Sequence, residues 1–195
     1  MNKVIALDAG HGVNAVGKRC LKSLDANQTR EWWLNGRIAD MVQERLGAYK
    51  CKVLRVDDAA GLKDVSLSAR VKSANAAKAD IYVSIHHNAG IYGGRGGGVC
   101  VYYYGAGRAD GQDKAGRLYD AVVSRNNLTG NRSRKIVPSS GLYVLKYTKM
   151  PALLLENGFM DSQVDTPIIL TQAHADATAC GIEDFLVEEL KLVKK

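Results

Sequence analysis

Two histidines and two glutamates in this sequence stand where a hydrolytic metal site would need them. His11 follows a short apolar run at residues 4–7, His86 follows another at 81–85, and Glu156 follows a third at 152–155. Each is a polar group delivered at the end of a buried strand, the edge at which open parallel sheets bind ligands. Glu31 falls in the first turn of a helix expected over about residues 27–49, after the loop that begins at His11. Two imidazoles and a carboxylate suit catalytic zinc, which takes three protein ligands and leaves a position for water. A further carboxylate is then wanted as a base, to take a proton from that water and pass it to a leaving nitrogen, and Glu156 can fill that role. Histidines at strand ends also occur as capping or hydrogen-bonded core residues, so spacing alone leaves both readings open. Glu44 is a fallback for Glu31, but it lies near the far end of the same helix, about 20 Å away at about 1.5 Å per residue.

The elements that must hold these groups alternate between strand and helix. Trp33, Leu34, Ile38, Met41, Val42 and Leu46 recur at helical spacing, with Gly47 near the end. Further helices are expected at 66–79, started by a serine, at 112–125 and at 171–192; strands are expected at 4–7, 51–56, 81–85, 99–104, 142–145 and 152–155. This order predicts an α/β fold: one domain over residues 1–195, with a mostly parallel twisted sheet of about six strands flanked by helices on both faces. The glycine-rich stretch at 93–98 reads as a flexible loop feeding a strand. It is not a phosphate-binding loop, because its glycines precede a strand and no Gly-Lys-Ser/Thr follows.

With 46% hydrophobic and 24% charged residues, the composition is that of a globular chain and excludes a disordered one. No apolar stretch approaches the roughly 18–20 residues of a membrane span. The N-terminus reaches Asp8 too soon for a signal peptide, so synthesis in the cytoplasm is expected. Four cysteines without a CxxC pair point to free or buried thiols. Lys and Arg number 27 against 20 Asp and Glu, a net charge of +7 that suits an anionic partner or simply a solvated basic surface. Nucleic acid ranks last among such partners, because no basic motif interleaved with aromatics is present.

The local sequences add to this reading. Ile5-Ala6-Leu7-Asp8-Ala9-Gly10-His11-Gly12, Glu31 with Asn35 and Ile38-Ala39, Leu67-Ser68-Ala69-Arg70 with Ala74-Asn75, the stretch from Asp80 through His86-His87-Asn88-Ala89, and Met150-Pro151 through Leu155-Glu156-Asn157-Gly158-Phe159 occur in that order. Together, over about residues 3–185, they resemble the zinc-dependent N-acetylmuramoyl-L-alanine amidases of the type-three family. The resemblance implies a catalytic domain that cuts the amide between the lactyl group of N-acetylmuramic acid and the L-alanine of the peptidoglycan stem peptide. It implies one zinc ion per chain, with His11, Glu31 and His86 as ligands and Glu156 as the catalytic glutamate. The chain departs from the family after His11, where Gly12-Val13-Asn14-Ala15-Val16-Gly17 replaces a common second glycine and Asp-Pro-Gly stretch, and the path to Glu31 is longer.

With no wall-binding repeat recognised, a phage or prophage endolysin is expected, or a bacterial autolysin of similar build, its positive charge attracted to anionic wall polymers. A zinc peptidase or carboxypeptidase acting within the stem peptide is the runner-up, and a non-catalytic wall-binding module the alternative from another class. Among the neighbours of the site, His87 should face away from His86 if the strand persists that far. Asp8 and Asn88 either orient the imidazoles or only cap the chain. Arg55 and Arg70 are read as surface or packing residues, one of Trp32 and Trp33 as core, and the rings of Tyr102, Tyr103 and Tyr104 as alternately buried.

Overall fold

The computed structural model describes residues 2–106 and 110–195. The chain runs β1 (Lys3–Ala9), α1 (Glu31–Leu46), β2 (Cys51–Arg55), α2 (Leu67–Ala76), β3 (Ile81–Asn88), β4 (Val99–Tyr104), α3 (Gly111–Asn126), β5 (Ile136–Ser139), α4 (Tyr143–Tyr147), β6 (Ala152–Phe159), α5 (Asp165–Ile169) and α6 (Gln172–Leu190). The strands form one six-stranded sheet in the order β2-β1-β3-β6-β4-β5. Among the described residues, four of its pairings are parallel and the β4–β6 pairing is antiparallel. The α/β fold with helices on both faces is therefore as the sequence predicts.

Strand alternation divides the core between the two faces. Ile5, Leu7, Val83, Ile85, Leu153 and Leu155 pack with residues of α1, α3 and α6. Ala6, Tyr82 and Leu154 face the other way and pack with α2 and α4, through Val71, Ala74, Val144 and Leu145. Because both faces are covered, Tyr102 and Tyr104 meet one cluster and Tyr103 the other, and all three rings are only partly buried. Among the described residues, no helix is long and apolar enough to cross a membrane.

Several expectations from the sequence need correction. The strand expected at 142–145 is the short helix α4, in which the consecutive residues Val144 and Leu145 are both buried while Tyr143 and Tyr147 stack at the surface, 4.5 Å between centroids. A four-residue apolar run does not by its period distinguish a strand from a helical turn. The sixth strand is instead β5, which pairs with β4 alone and carries Pro138, a residue tolerated only at a sheet edge. Helix α1 begins at Glu31, not near residue 27, because the Asp25 carboxylate accepts the amides of Asn27 and Thr29 and holds that stretch in a turn. Neither tryptophan joins the core: Trp33 is half exposed with the Arg37 guanidinium 4.9 Å from its ring centre, and Trp32 is partly buried against Gly36.

The glycine-rich segment before β4 is tied down rather than free. Asp161 Oδ2 accepts the amides of Gly90, Ile91 and Tyr92, and Asp165 Oδ2 accepts those of Gly98 and Phe159. Gly97, at φ +152, has no room for a side chain, since a Cβ would overlap the Asp165 carboxylate. The four cysteines are free, and burial pushes the Cys20 thiol up to about 12 and the Cys100 thiol up to about 11.

A buried polar network lies between β1, α2 and β3. Arg70, on the helix whose start is capped by Ser66 accepting the Ala69 amide, is 1% exposed. Its guanidinium pairs with Asp8 and donates to the Ala9 and His11 carbonyls at 2.8 and 2.9 Å, while Asp8 Oδ2 also accepts the Tyr82 and Ser84 hydroxyls. Removing one partner of such a buried pair strands the other charge, at a cost of about 3–5 kcal/mol. An Arg70→Met protein should lose stability in that range in urea unfolding, whereas Lys3→Met, which removes a partly exposed ion pair with Asp80, should change it by less than about 1 kcal/mol.

Candidate metal centre

Strand register brings the candidate residues to one edge. In β1 and β3, Ala9 lies beside Ile85, and in β3 and β6, His86 lies beside Glu156. Directly paired residues of neighbouring strands point to the same face, so His86 and Glu156 both turn toward the α2 and α4 side. His11, just beyond β1, reaches the same place, and Glu31 arrives from the first turn of α1, its amide donating to the Lys18 carbonyl at 3.0 Å.

One ligand atom each from His11, Glu31 and His86 converges to within 4.8 Å of the others. Glu31 lies between the rings: Oε1 is 3.0 Å from His86 Nδ1 and Oε2 is 3.3 Å from His11 Nε2. The imidazoles meet nearly edge to face, with centroids 5.0 Å apart. Burial alone would raise the Glu31 pKa, yet the close contacts and charge of both histidines hold it well below the usual carboxylate range. Burial would lower that of His86, but Glu31 raises it. An ionised carboxylate that is 1% exposed, with Oε2 making no well-formed hydrogen bond, beside two imidazole nitrogens, is a donor set that fits a divalent transition metal.

Other groups fix this arrangement. His11 has φ +67, a left-handed backbone unusual for its type, and the Arg70 bond to its carbonyl holds it there. The Gly10 amide donates to the Ile85 carbonyl at 3.0 Å, and a Cβ on Gly10 would overlap the His86 ring. Strand β3 does persist through His87, whose ring turns to the opposite side and bonds Asn35 at 2.8 Å. Asn35 in turn donates to the Gly10 carbonyl at 3.1 Å. Burial, with His174 nearby, pushes the His87 pKa well below normal, so its ring is a neutral structural group. Asp8 and Asn88 do not orient the imidazoles: Asp8 belongs to the Arg70 network, and Asn88 Oδ1 accepts the Ala89 amide. Sequence reasoning assigned Arg70 no role beyond packing; the signal that was available is the spaced Leu-Ser-Ala-Arg motif in which it lies.

Glu156 is set apart from the cluster of three. Among the described residues its Oε2 has no hydrogen-bond partner, and burial raises its pKa to about 7, an effect that the nearby His86 partly offsets. Two cavities meet here. One, of about 480 Å³, runs under Ser66, Leu67, Leu142 and Tyr143; the other, of about 360 Å³, lies between Val16, Gly17, Asn88 and Met160. His11, Lys18, His86 and Glu156 line both. A scissile bond lying across this junction would have the partly buried Glu156 carboxylate beside it and room for substrate on either side.

A mostly parallel sheet whose edge gathers two imidazoles and two carboxylates beneath an open cleft defines, as a class, an α/β enzyme equipped for hydrolysis. The chain belongs to the N-acetylmuramoyl-L-alanine amidase family, which it matches over residues 5–187. It is 32% identical to an endolysin of Bacillus phage SPP1, over 100% of this chain and 69% of that protein. It is 31% identical to a probable cell wall amidase, LytH, of Staphylococcus aureus, over 97% of this chain and 58% of that one. The chain thus spans less than the full length of both relatives. Among solved structures, an N-acetylmuramoyl-L-alanine amidase from Clostridium difficile 630 superposes with a TM-score of 0.86, at 27% identity and covering 97% of each chain.

The contact between Gly10 and His86 is open to direct test. A Gly10→Ala protein should remain folded by circular dichroism but bind zinc at least about tenfold more weakly in competition with a chromophoric chelator, because the His86 ring is displaced.

Proposed function

We propose that this protein hydrolyses the amide between N-acetylmuramic acid and L-alanine in peptidoglycan, with one zinc ion held by His11, Glu31 and His86 and with Glu156 as the general base. The observation that carries this reading is the placement of Glu156, a partly buried residue whose Oε2 is buried and, among the described residues, without a partner, beside the convergent His–Glu–His set at the junction of two cavities. Bound there, zinc would supply a Lewis acid that polarises the amide carbonyl and lowers the pKa of water to about 7.

The chain's own residues do the rest. Glu31 brings a full negative charge between two imidazoles, which favours capture of a cation. Glu156, with a pKa near 7, is poised to take a proton from the attacking water and to deliver it to the amino group of L-alanine as the amide breaks. Arg70 and Gly10 act through the positions of His11 and His86. The cavities flanking the junction give the muramyl side and the peptide side of the substrate separate places. Action on the cell wall as an endolysin or autolysin agrees with the family and with the names of its relatives. The net charge of +7 would draw the protein to anionic wall polymers, and nucleic acid is not needed to account for it.

The test is mass spectrometry of the soluble products from purified sacculi. Stem peptides beginning with L-alanine should appear, disappear on chelation and return with zinc. Peptides cut elsewhere would move the assignment to a stem-peptide peptidase. Glu156→Gln should bind zinc as the parent does and lose at least about 100-fold in kcat, the usual size of a lost acid–base group; near-parental turnover in that variant would refute its role.

A further inference from the structure

Lys18 stands in the wall shared by the two cavities, together with His11, His86 and Glu156. Its carbonyl accepts the Glu31 amide, so the turn that carries it is fastened to the first residue of α1. Its side chain is half exposed, and its ammonium lies 4.0 Å from Glu31 Oε2, at the limit of an ion pair. Glu31 is already engaged with both imidazoles. Arg70 is the other lysine or arginine lining these cavities, and it is committed to Asp8, Asp64 and backbone carbonyls. Among the described residues that line the cleft, Lys18 is therefore the cation with the loosest hold, its one ion pair being a 4.0 Å contact to a carboxylate shared with two imidazoles.

A dication held by Glu31 makes that position worse for the ammonium, because two like charges would then share one carboxylate. The flexible stem of a half-exposed lysine allows the charge to turn into the cleft, where it meets Glu156 across the shared wall and any incoming anion. The substrate has one close at hand. Its sugar and lactyl groups are neutral, whereas the second stem residue, glutamate linked through its side chain, keeps a free α-carboxylate unless it is amidated. That residue is separated from the scissile amide by L-alanine alone, about 3.5 Å of extended chain.

We infer that Lys18 is a specificity-determining residue that binds the free α-carboxylate of the second stem-peptide residue, so that the enzyme prefers stems in which this group is not amidated. The inference rests on the amidase reading of the site. It belongs to the segment in which this chain departs from the family pattern, between His11 and Glu31.

The test uses two muropeptides that differ only in D-glutamate against D-isoglutamine at the second position, hydrolysed by the zinc-loaded protein and by Lys18→Gln and Lys18→Arg. The parent should favour the carboxylate form about fivefold in kcat/KM, the size of one partly exposed ion pair. Lys18→Gln should bring the ratio close to one, and Lys18→Arg should keep it. In parallel, L-alanyl-D-glutamate and L-alanyl-D-isoglutamine are titrated into the zinc-loaded proteins by NMR. The acidic dipeptide should bind the parent about fivefold more tightly than the amide, with a difference that falls as salt is added and vanishes in Lys18→Gln. Equal rates on both substrates by the parent, or a Lys18→Gln protein that slows both alike, would overturn the role of Lys18 while leaving the amidase reading intact. Cleavage of neither substrate by the parent would overturn the amidase reading, and the dipeptide titration would then decide on Lys18 by itself: equal affinities refute it.

Discussion

The parallel register of the three central strands is the constraint on which the site depends. With Ala9 beside Ile85, and His86 beside Glu156, the ends of β1, β3 and β6 lie level, and three groups far apart in sequence share one edge. A slip of one residue in β6 would turn Glu156 toward α1 and α6 and present Asn157 to the cleft. Apolar residues on both faces resist such a slip, since Leu153, Leu154 and Leu155 would each exchange one packed cluster for the other.

Two buried charges are built into this frame in different ways. The Arg70 guanidinium is neutralised by Asp8 and saturated by carbonyls, so its charge is spent on holding the backbone at Ala9 and His11. Glu31 is surrounded by groups that favour its ionised form without closing off both of its oxygens. The first arrangement is complete in the protein alone and serves structure. The second remains short of positive charge, and that difference separates a binding centre from a structural ion pair.

Much of this was legible in the sequence, and the limits follow physical lines. The long helices and the buried strands announced themselves by period, and the polar residues at strand ends gave His11, His86 and Glu156 as candidates. Glu31 was readable as a first-turn residue, although the start of its helix was set by Asp25 and its turn, which no hydrophobic pattern records. The segment at 142–145 was misread because four apolar residues fit a strand as well as a helical turn, and β5 was hidden by Pro138 and by lying at the edge. The part of Arg70 in fixing His11 depends on contacts across 59 residues of sequence, beyond the reach of any local pattern. The hold on the glycine-rich loop is likewise long-range, supplied by two aspartates that follow β6.

The buried thiols bear on how the protein meets changing surroundings. With pKa values raised by burial to about 12 and about 11, Cys20 and Cys100 are held as protonated thiols at pH 7. Protonated sulfur is neither a good nucleophile nor a good metal ligand. Those two buried, protonated cysteines thus offer soft metals little competition for the imidazoles and carboxylate at the sheet edge, and burial makes them poor partners in disulfide exchange.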